Sequence, residues 1–314
     1  MNTPSRNYII RIFADFATPE GIKESLEKCF CTNIIPYYGT GPGMKVQFTT
    51  DNDDYTHAII INTAMPKLRN GLNKTRVVGL AYEPNHVQPF LNITSEFIKY
   101  AKKYIGRYYI GDLKGLEEPF VEGYAYITYS VPKWIYDIKI PHPMPHTNHQ
   151  LMSIMISGKM YAPGHIYRHR LVRGILQSNL PVDIYGNGCI MYRNSPYAND
   201  PRLKGPFAEY EPYENYKFHV AIENFQSNYY FSEKIINPLL SGSIPVYLGC
   251  RNISKFFGDT PIVMSGNLED DMQLIIDIVE HPDKYMRDID VEKVEERVNL
   301  IKNIDELFEY NNNK

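Results

Sequence analysis

Short apolar runs alternate with amphipathic stretches along the amino-terminal part of the chain. Residues 8–13, 44–48, 58–61, 77–81 and 108–110 are brief, apolar and bounded by polar or glycine-bearing turns, which predicts buried strands. Between them, residues 19–30 set Ile22, Leu26, Cys29 and Phe30 on one face at helical spacing, and residues 96–104 do the same with Phe97, Ile98 and Ala101, continued by Ile105. Strand and helix in alternation predict a parallel sheet with helices on its faces. From Trp134 to Gln150 the periodicity stops in a stretch with three prolines and three histidines, and a domain boundary is expected between residues 145 and 146. His142, His146 and His149 share no fixed face and have no Cys or acidic neighbour, so they read as linker rather than as a metal site.

The pattern then resumes. Residues 151–156 predict a strand, residues 165–177 a helix carrying Arg168, Arg170 and Arg173, and residues 182–185 a further strand turned by Gly186-Asn187-Gly188. Residues 217–222 alternate as a pleated strand and end at the polar pair Glu223 and Asn224. Ser232 is placed to cap a helix that begins Glu233-Lys234 and buries Ile235, Ile236, Leu239 and Leu240. Pro238 removes one ladder bond, so this helix is expected to kink or stop early, with Gly242 ending it before a buried strand over 244–248. Met272, Ile275, Ile276 and Val279 form a helical stripe halted at His281-Pro282. A last amphipathic helix is expected from Val291 through Val294, Val298 and Ile301 toward Leu307 and Phe308. The fold class is therefore α/β, with two Rossmann-like domains over 1–145 and 146–290 and a terminal helix over 291–314 that is a candidate to pack back on the first.

Composition narrows the partners. A chain of 314 residues that is 43% hydrophobic suits two globular domains. With 33 Lys and Arg against 36 Asp and Glu there is no broad cationic surface, which argues against a nucleic-acid partner and makes any anion site local. The opening residues lack the apolar core of a signal peptide and no run approaches a membrane span, so a soluble, cytoplasmic protein is expected. Cys29, Cys31, Cys189 and Cys250 make no disulfide framework for this length, in keeping with a reducing compartment.

The strand–loop–helix–strand run over 216–249 carries the chemistry. Ligands of open α/β sheets collect at the carboxyl ends of strands, and a helix start offers free N–H groups to a phosphate. Lys234 adds a full charge there, while the carboxylate of Glu233 suits neighbouring sugar hydroxyls, so the pair fits a nucleoside diphosphate.

The same run resembles the donor-binding signature of the α-1,3/4-fucosyltransferases, glycosyltransferase family ten. The matching residues are Tyr216, Lys217, Phe218, Glu223, Asn224, Tyr230, Glu233, Lys234, Gly242, Pro245, Val246 and Gly249. Ile222, Phe231 and Ser232 depart mildly from the family's Phe, Val and Thr, and Ser232 keeps the capping hydroxyl. A Glu-Lys pair alone would be an ordinary solvated first turn; its surroundings give it weight. The resemblance implies a GT-B architecture with a cleft between its domains and an inverting transfer of a sugar, fucose from GDP-fucose first of all, to a hydroxyl of a glycan acceptor. The same fold with another nucleotide sugar donor, or a non-catalytic nucleotide- or glycan-binding protein, stays open. In its lack of an anchor the chain is closer to soluble microbial or viral members than to the animal enzymes.

Carried over residue by residue, the resemblance implies a donor-binding set of Arg168, Glu223, Asn224, Tyr230, Ser232, Glu233 and Lys234. Arg168 is selected by register from the strand Val182, Asp183, Tyr185, Gly186. The family's general base is a glutamate in a Glu-Ser-Pro-x-His motif; here Tyr82-Glu83-Pro84-Asn85-His86 lacks the serine, and Glu83 is the candidate. No cofactor is expected beyond the nucleotide sugar, and no metal, since Arg168 and Lys234 are available to neutralise the diphosphate. Asp51-Asn52-Asp53 is read as a turn rather than as a metal-binding Asp-x-Asp.

Overall fold

The computed structural model describes residues 3–29, 35–84, 91–127, 150–208 and 210–309. The His142, His146 and His149 stretch, the expected boundary at 145/146, Cys31, Asn85 and His86 lie outside the described residues. The chain divides into two compact units, one comprising Met1–Val131, Ser227–Tyr230 and Glu295–Lys314, the other Pro132–Gln226 and Phe231–Val294.

The first unit runs β1 (Tyr8–Phe13), α1 (Pro19–Cys29), β2 (Val46–Thr49), β3 (His57–Ile61), β4 (Val77–Leu80), α2 (Ser95–Tyr104), β5 (Arg107–Ile110) and β6 (Phe120–Glu122). Its six strands are all parallel, in the order β2-β1-β3-β4-β5-β6. Strand β3 is buried along its whole length, which is why it reads as a continuous apolar run instead of an alternating one. Helix α2 starts where the Thr94 side chain accepts a hydrogen bond from the Phe97 N–H, and it lays Phe97 and Ala101 against Tyr108, Ile110 and Phe120.

The second unit runs β7 (Gln150–Met155), α3 (Pro163–Gln177), β8 (Val182–Tyr185), β9 (Leu203–Gly205), α4 (Glu211–Glu214), β10 (Tyr216–Ile222), α5 (Glu233–Leu240), β11 (Ile244–Leu248), α6 (Ser254–Phe257), β12 (Ile262–Val263) and α7 (Leu268–Glu280). Its parallel sheet has the order β12-β11-β10-β7-β8-β9, so the chain winds outward from β7 in one direction and from β10 in the other. The crevice between the carboxyl ends of β7 and β10 is the place where such sheets take their ligands. As expected from Pro238, α5 is short; it stops at Leu240, two residues beyond the proline.

The terminal helix departs from expectation. It is two helices, α8 (Val291–Val298) and α9 (Ile304–Phe308), broken at the fully buried Asn299. The Asn299 Oδ1 accepts the N–H groups of Ile301 and Lys302, and its Nδ2 donates to Glu295 Oε1 at 2.7 Å, so the side chain takes over backbone donors that a continuing helix would need. Within the first unit, the Tyr8 hydroxyl donates to Asp305 of α9 at 2.6 Å.

Burial lowers the pKa of four histidines, His57, His165, His169 and His219. Burial holds His57 and His165 down at about 4, and the wholly buried His219, whose Nδ1 lies 2.8 Å from Ser153 Oγ, at about 3. A depressed histidine weakens the folded state below the unfolded value of about 6.5, because only the unfolded chain takes up the proton there, and the loss levels off once the folded state protonates as well. Unfolding free energy from denaturant titrations is therefore expected to fall as pH drops from about 6.5 toward 4, and His219→Asn is expected to flatten part of that slope.

Candidate functional site

The start of α3 is pressed against the end of β10. Pro163 occupies the first helical turn, where its missing N–H costs nothing, and the Gly164 N–H donates to the Asn224 carbonyl at 2.9 Å. A Cβ on Gly164 would fall inside the van der Waals shell of the Glu223 carbonyl oxygen. This approach brings Arg168, one turn further on, to Asn224: its Nη2 donates to Asn224 Oδ1 at 2.6 Å, and His165 also bonds the Asn224 side chain.

At the other side of the crevice, Glu223 turns inward. Its side chain is fully buried; Oε1 accepts the Ser232 N–H and Oε2 the Ser232 hydroxyl, both at 2.8 Å. The buried Tyr247 hydroxyl, which accepts the Cys250 N–H at 2.9 Å, is a further partner of the Glu223 carboxyl. Gly249 leaves room for that carboxyl, since a Cβ there would collide with Glu223 Cγ and the Tyr247 ring. Ser232 caps α5, as the sequence predicts, by accepting the Lys234 N–H.

Lys234 Nζ lies 3.0 Å from Glu233 Oε1, 3.0 Å from Ser232 Oγ and 3.6 Å from Glu223 Oε2. Burial pushes the Glu223 carboxyl above its usual range against the pull of Lys234. At Glu233 burial is outweighed by the Lys234 ammonium, which holds that carboxyl low. Burial also works against the charge on Lys234, yet Glu233 and Glu223 together raise it, with Arg168 opposing. Glu233 Oε2 is buried and has no hydrogen-bond partner among the described residues. The group can hold an anion at Lys234 and Arg168 and a hydroxyl at Glu233.

The structure thus brings Glu223, Ser232, Glu233 and Lys234 into one cluster and pairs Arg168 with Asn224. Tyr230 belongs to the first unit, where its hydroxyl donates to Glu83 Oε2 at 3.3 Å. Glu83 follows β4 on a segment fixed by Asn62, whose Oδ1 accepts the Tyr82 N–H and whose carbonyl accepts the Tyr108 hydroxyl. Sequence reasoning missed Tyr247 and Asn62. A tyrosine inside a wholly buried strand was the available signal for the first, because a buried hydroxyl needs a partner. Asp51-Asn52-Asp53 is a turn, with Thr49 Oγ1 accepting the Asn52 N–H, Asn52 Oδ1 the Asp54 N–H, and Asp53 paired with Arg11. Among the described residues no three His, Cys, Asp or Glu side chains converge to hold a metal ion, and no helix is long and apolar enough to cross a membrane.

Comparison with known proteins bears on the family and the fold. Residues 148–274 match the family model described as glycosyltransferase family 10 (fucosyltransferase) C-term. A fucosyltransferase-like protein of Arabidopsis thaliana is 31% identical over 121 residues, 38% of this chain and 21% of that protein. Alpha-(1,3)-fucosyltransferase B of Drosophila melanogaster is 36% identical over 90 residues, 26% of this chain and 19% of that protein. The chain thus spans about a fifth of the length of the curated relatives it matches. A crystal structure of an alpha1,3-fucosyltransferase with GDP-fucose superposes with a TM-score of 0.53 at 14% identity, covering 99% of this chain and 93% of that one. The sequence matches support assigning the 148–274 segment to family 10, and the structural likeness shows a GT-B fold of two Rossmann-like units.

Because the Glu223 carbonyl leaves no space at Gly164, Gly164→Ala must displace the start of α3. Overpacking of this kind costs about 1–3 kcal/mol. The variant is expected to unfold at correspondingly lower denaturant, with Arg168 drawn off Asn224; a midpoint equal to wild type would show that the contact yields freely.

Proposed function

We propose that the chain is an inverting glycosyltransferase that moves fucose from GDP-fucose to a hydroxyl of a glycan acceptor. The observation that carries this reading is the cluster of Glu233, Lys234 and Arg168 at the β7–β10 crevice, within a segment that matches a fucosyltransferase family model. Lys234 and Arg168 neutralise the diphosphate as it leaves, and Glu233 accepts ribose hydroxyls. The transfer needs one further group. The acceptor oxygen bonds to the anomeric carbon on the face opposite the diphosphate, the carbon–oxygen bond to the diphosphate breaks with its electron pair, and the hydroxyl proton passes to Glu83. Tyr230, hydrogen-bonded to Glu83, orients that carboxylate.

These contacts read the diphosphate and the ribose but neither the base nor the sugar ring, so a different nucleotide sugar is the reading to set beside GDP-fucose. A thermal-shift panel of nucleotides and nucleotide sugars separates them, because the ligand that binds the folded state best raises the melting temperature most. The missing serine before Pro84 favours one further reading, a binding protein without transfer.

Two substitutions test the roles. A charge-assisted hydrogen bond is worth about 1.5–3 kcal/mol, so Lys234→Ala is expected to weaken GDP binding by calorimetry about tenfold or more. Unchanged affinity in the folded variant would remove the helix-start site. Glu83→Gln is expected to keep donor affinity while kcat falls about a hundredfold or more, within the range general bases supply. Normal turnover would make Glu83 structural, and donor binding without transfer in both proteins would favour the binding protein.

A further inference from the structure

Glu223 stands at the polar end of β10, where a carboxylate invites a role as donor ligand, yet its geometry points elsewhere. Its side chain has no exposed surface, whereas Lys234 and Glu233 beside it keep 16% and 21% of theirs. Both of its oxygens are engaged by the protein itself, through the Ser232 N–H, the Ser232 hydroxyl and the Tyr247 hydroxyl. Gly249 is cut away to admit it, and the Glu223 N–H is itself tied to the Leu248 carbonyl at 2.8 Å. Without exposed surface, the carboxylate presents neither oxygen to a ligand hydroxyl.

We propose that Glu223 is a positioning residue that never touches the nucleotide, and that its buried carboxylate, backed by Tyr247, fixes Ser232 and Lys234 in the arrangement that receives the diphosphate. The route is visible in the contacts. Glu223 holds Ser232 by backbone and hydroxyl at once; the same Ser232 Oγ caps α5 and lies 3.0 Å from Lys234 Nζ, and Glu223 Oε2 faces that ammonium at 3.6 Å. Rotation of Ser232 would therefore loosen the first turn of α5 and the lysine together. A neutral amide at 223 has the same shape, but one of its two polar atoms becomes a donor, so it cannot accept every hydrogen that the carboxylate accepts.

This role rests on the nucleotide-binding reading, and a double-mutant cycle separates the two. GDP affinity is measured by calorimetry for wild type, Glu223→Gln, Lys234→Ala and the double variant, alongside amide hydrogen exchange over 231–235. Glu223→Gln is expected to weaken GDP binding about tenfold in the wild-type background, to change it less than about twofold once Lys234 is gone, and to speed exchange at Ser232 and Lys234 without nucleotide. Losses that add in the double variant would make Glu223 a ligand in its own right, and wild-type affinity with wild-type exchange would remove the positioning role; either result overturns the proposal. Should Glu223→Gln fail to fold, Tyr247→Phe removes one donor and keeps the carboxylate. It is expected to give a smaller loss that likewise vanishes in the Lys234→Ala background, and an additive loss or none overturns the proposal. Wild-type protein that binds no nucleoside diphosphate overturns the transferase reading instead, and the exchange comparison then decides the positioning role on its own.

Discussion

A carboxylate buried without exposed surface is the constraint around which the second unit's functional end is built. Such a group destabilises a fold by several kcal/mol unless hydrogen bonds and an opposite charge answer it. Glu223 is answered by the Ser232 N–H and hydroxyl, the Tyr247 hydroxyl and Lys234, and each of these partners is thereby confined. Gly249 has to stay small, α5 has to begin at Ser232, and Lys234 has to lie over the carboxylate. The start of α3 is tied to the same strand end through Gly164 and Asn224, so the two helices that flank the crevice take their positions from one short segment of β10.

Much of this fold was legible because parallel strands buried on both faces leave continuous apolar runs, as in AIII of β3 and IPVYL of β11. Strands β6, β9 and β12, of two or three residues each, left no such trace; they are defined by the neighbours they pair with, and periodicity cannot show a partner. Pro163 is a helix-start signal that sequence analysis passed over, and it sets α3 two residues earlier than the apolar pattern does. At Asn299 the apolar stripe continues across a real break. Periodicity records which residues are buried, and here a polar side chain buried among them diverts the backbone.

The site was legible as a set of neighbours in sequence and not as an arrangement. Residues 232–234 sit together because a cap and a first turn are local. The direction of Glu223 was hidden because β10 is buried on both faces near its end, so alternation no longer tells inside from outside. The pairing of Tyr230 with Glu83 joins residues 147 positions apart, a contact that only the folded chain reveals.

The charges in the cluster nearly balance before any ligand is considered: Lys234 and Arg168 against Glu233 and Glu223. A lysine buried alone would lose its proton to burial, and the two carboxylates are what keep this one charged. The same carboxylates oppose any anion that approaches the ammonium, most strongly Glu233 at 3.0 Å from it. Affinity for an anion is therefore a difference between two large terms.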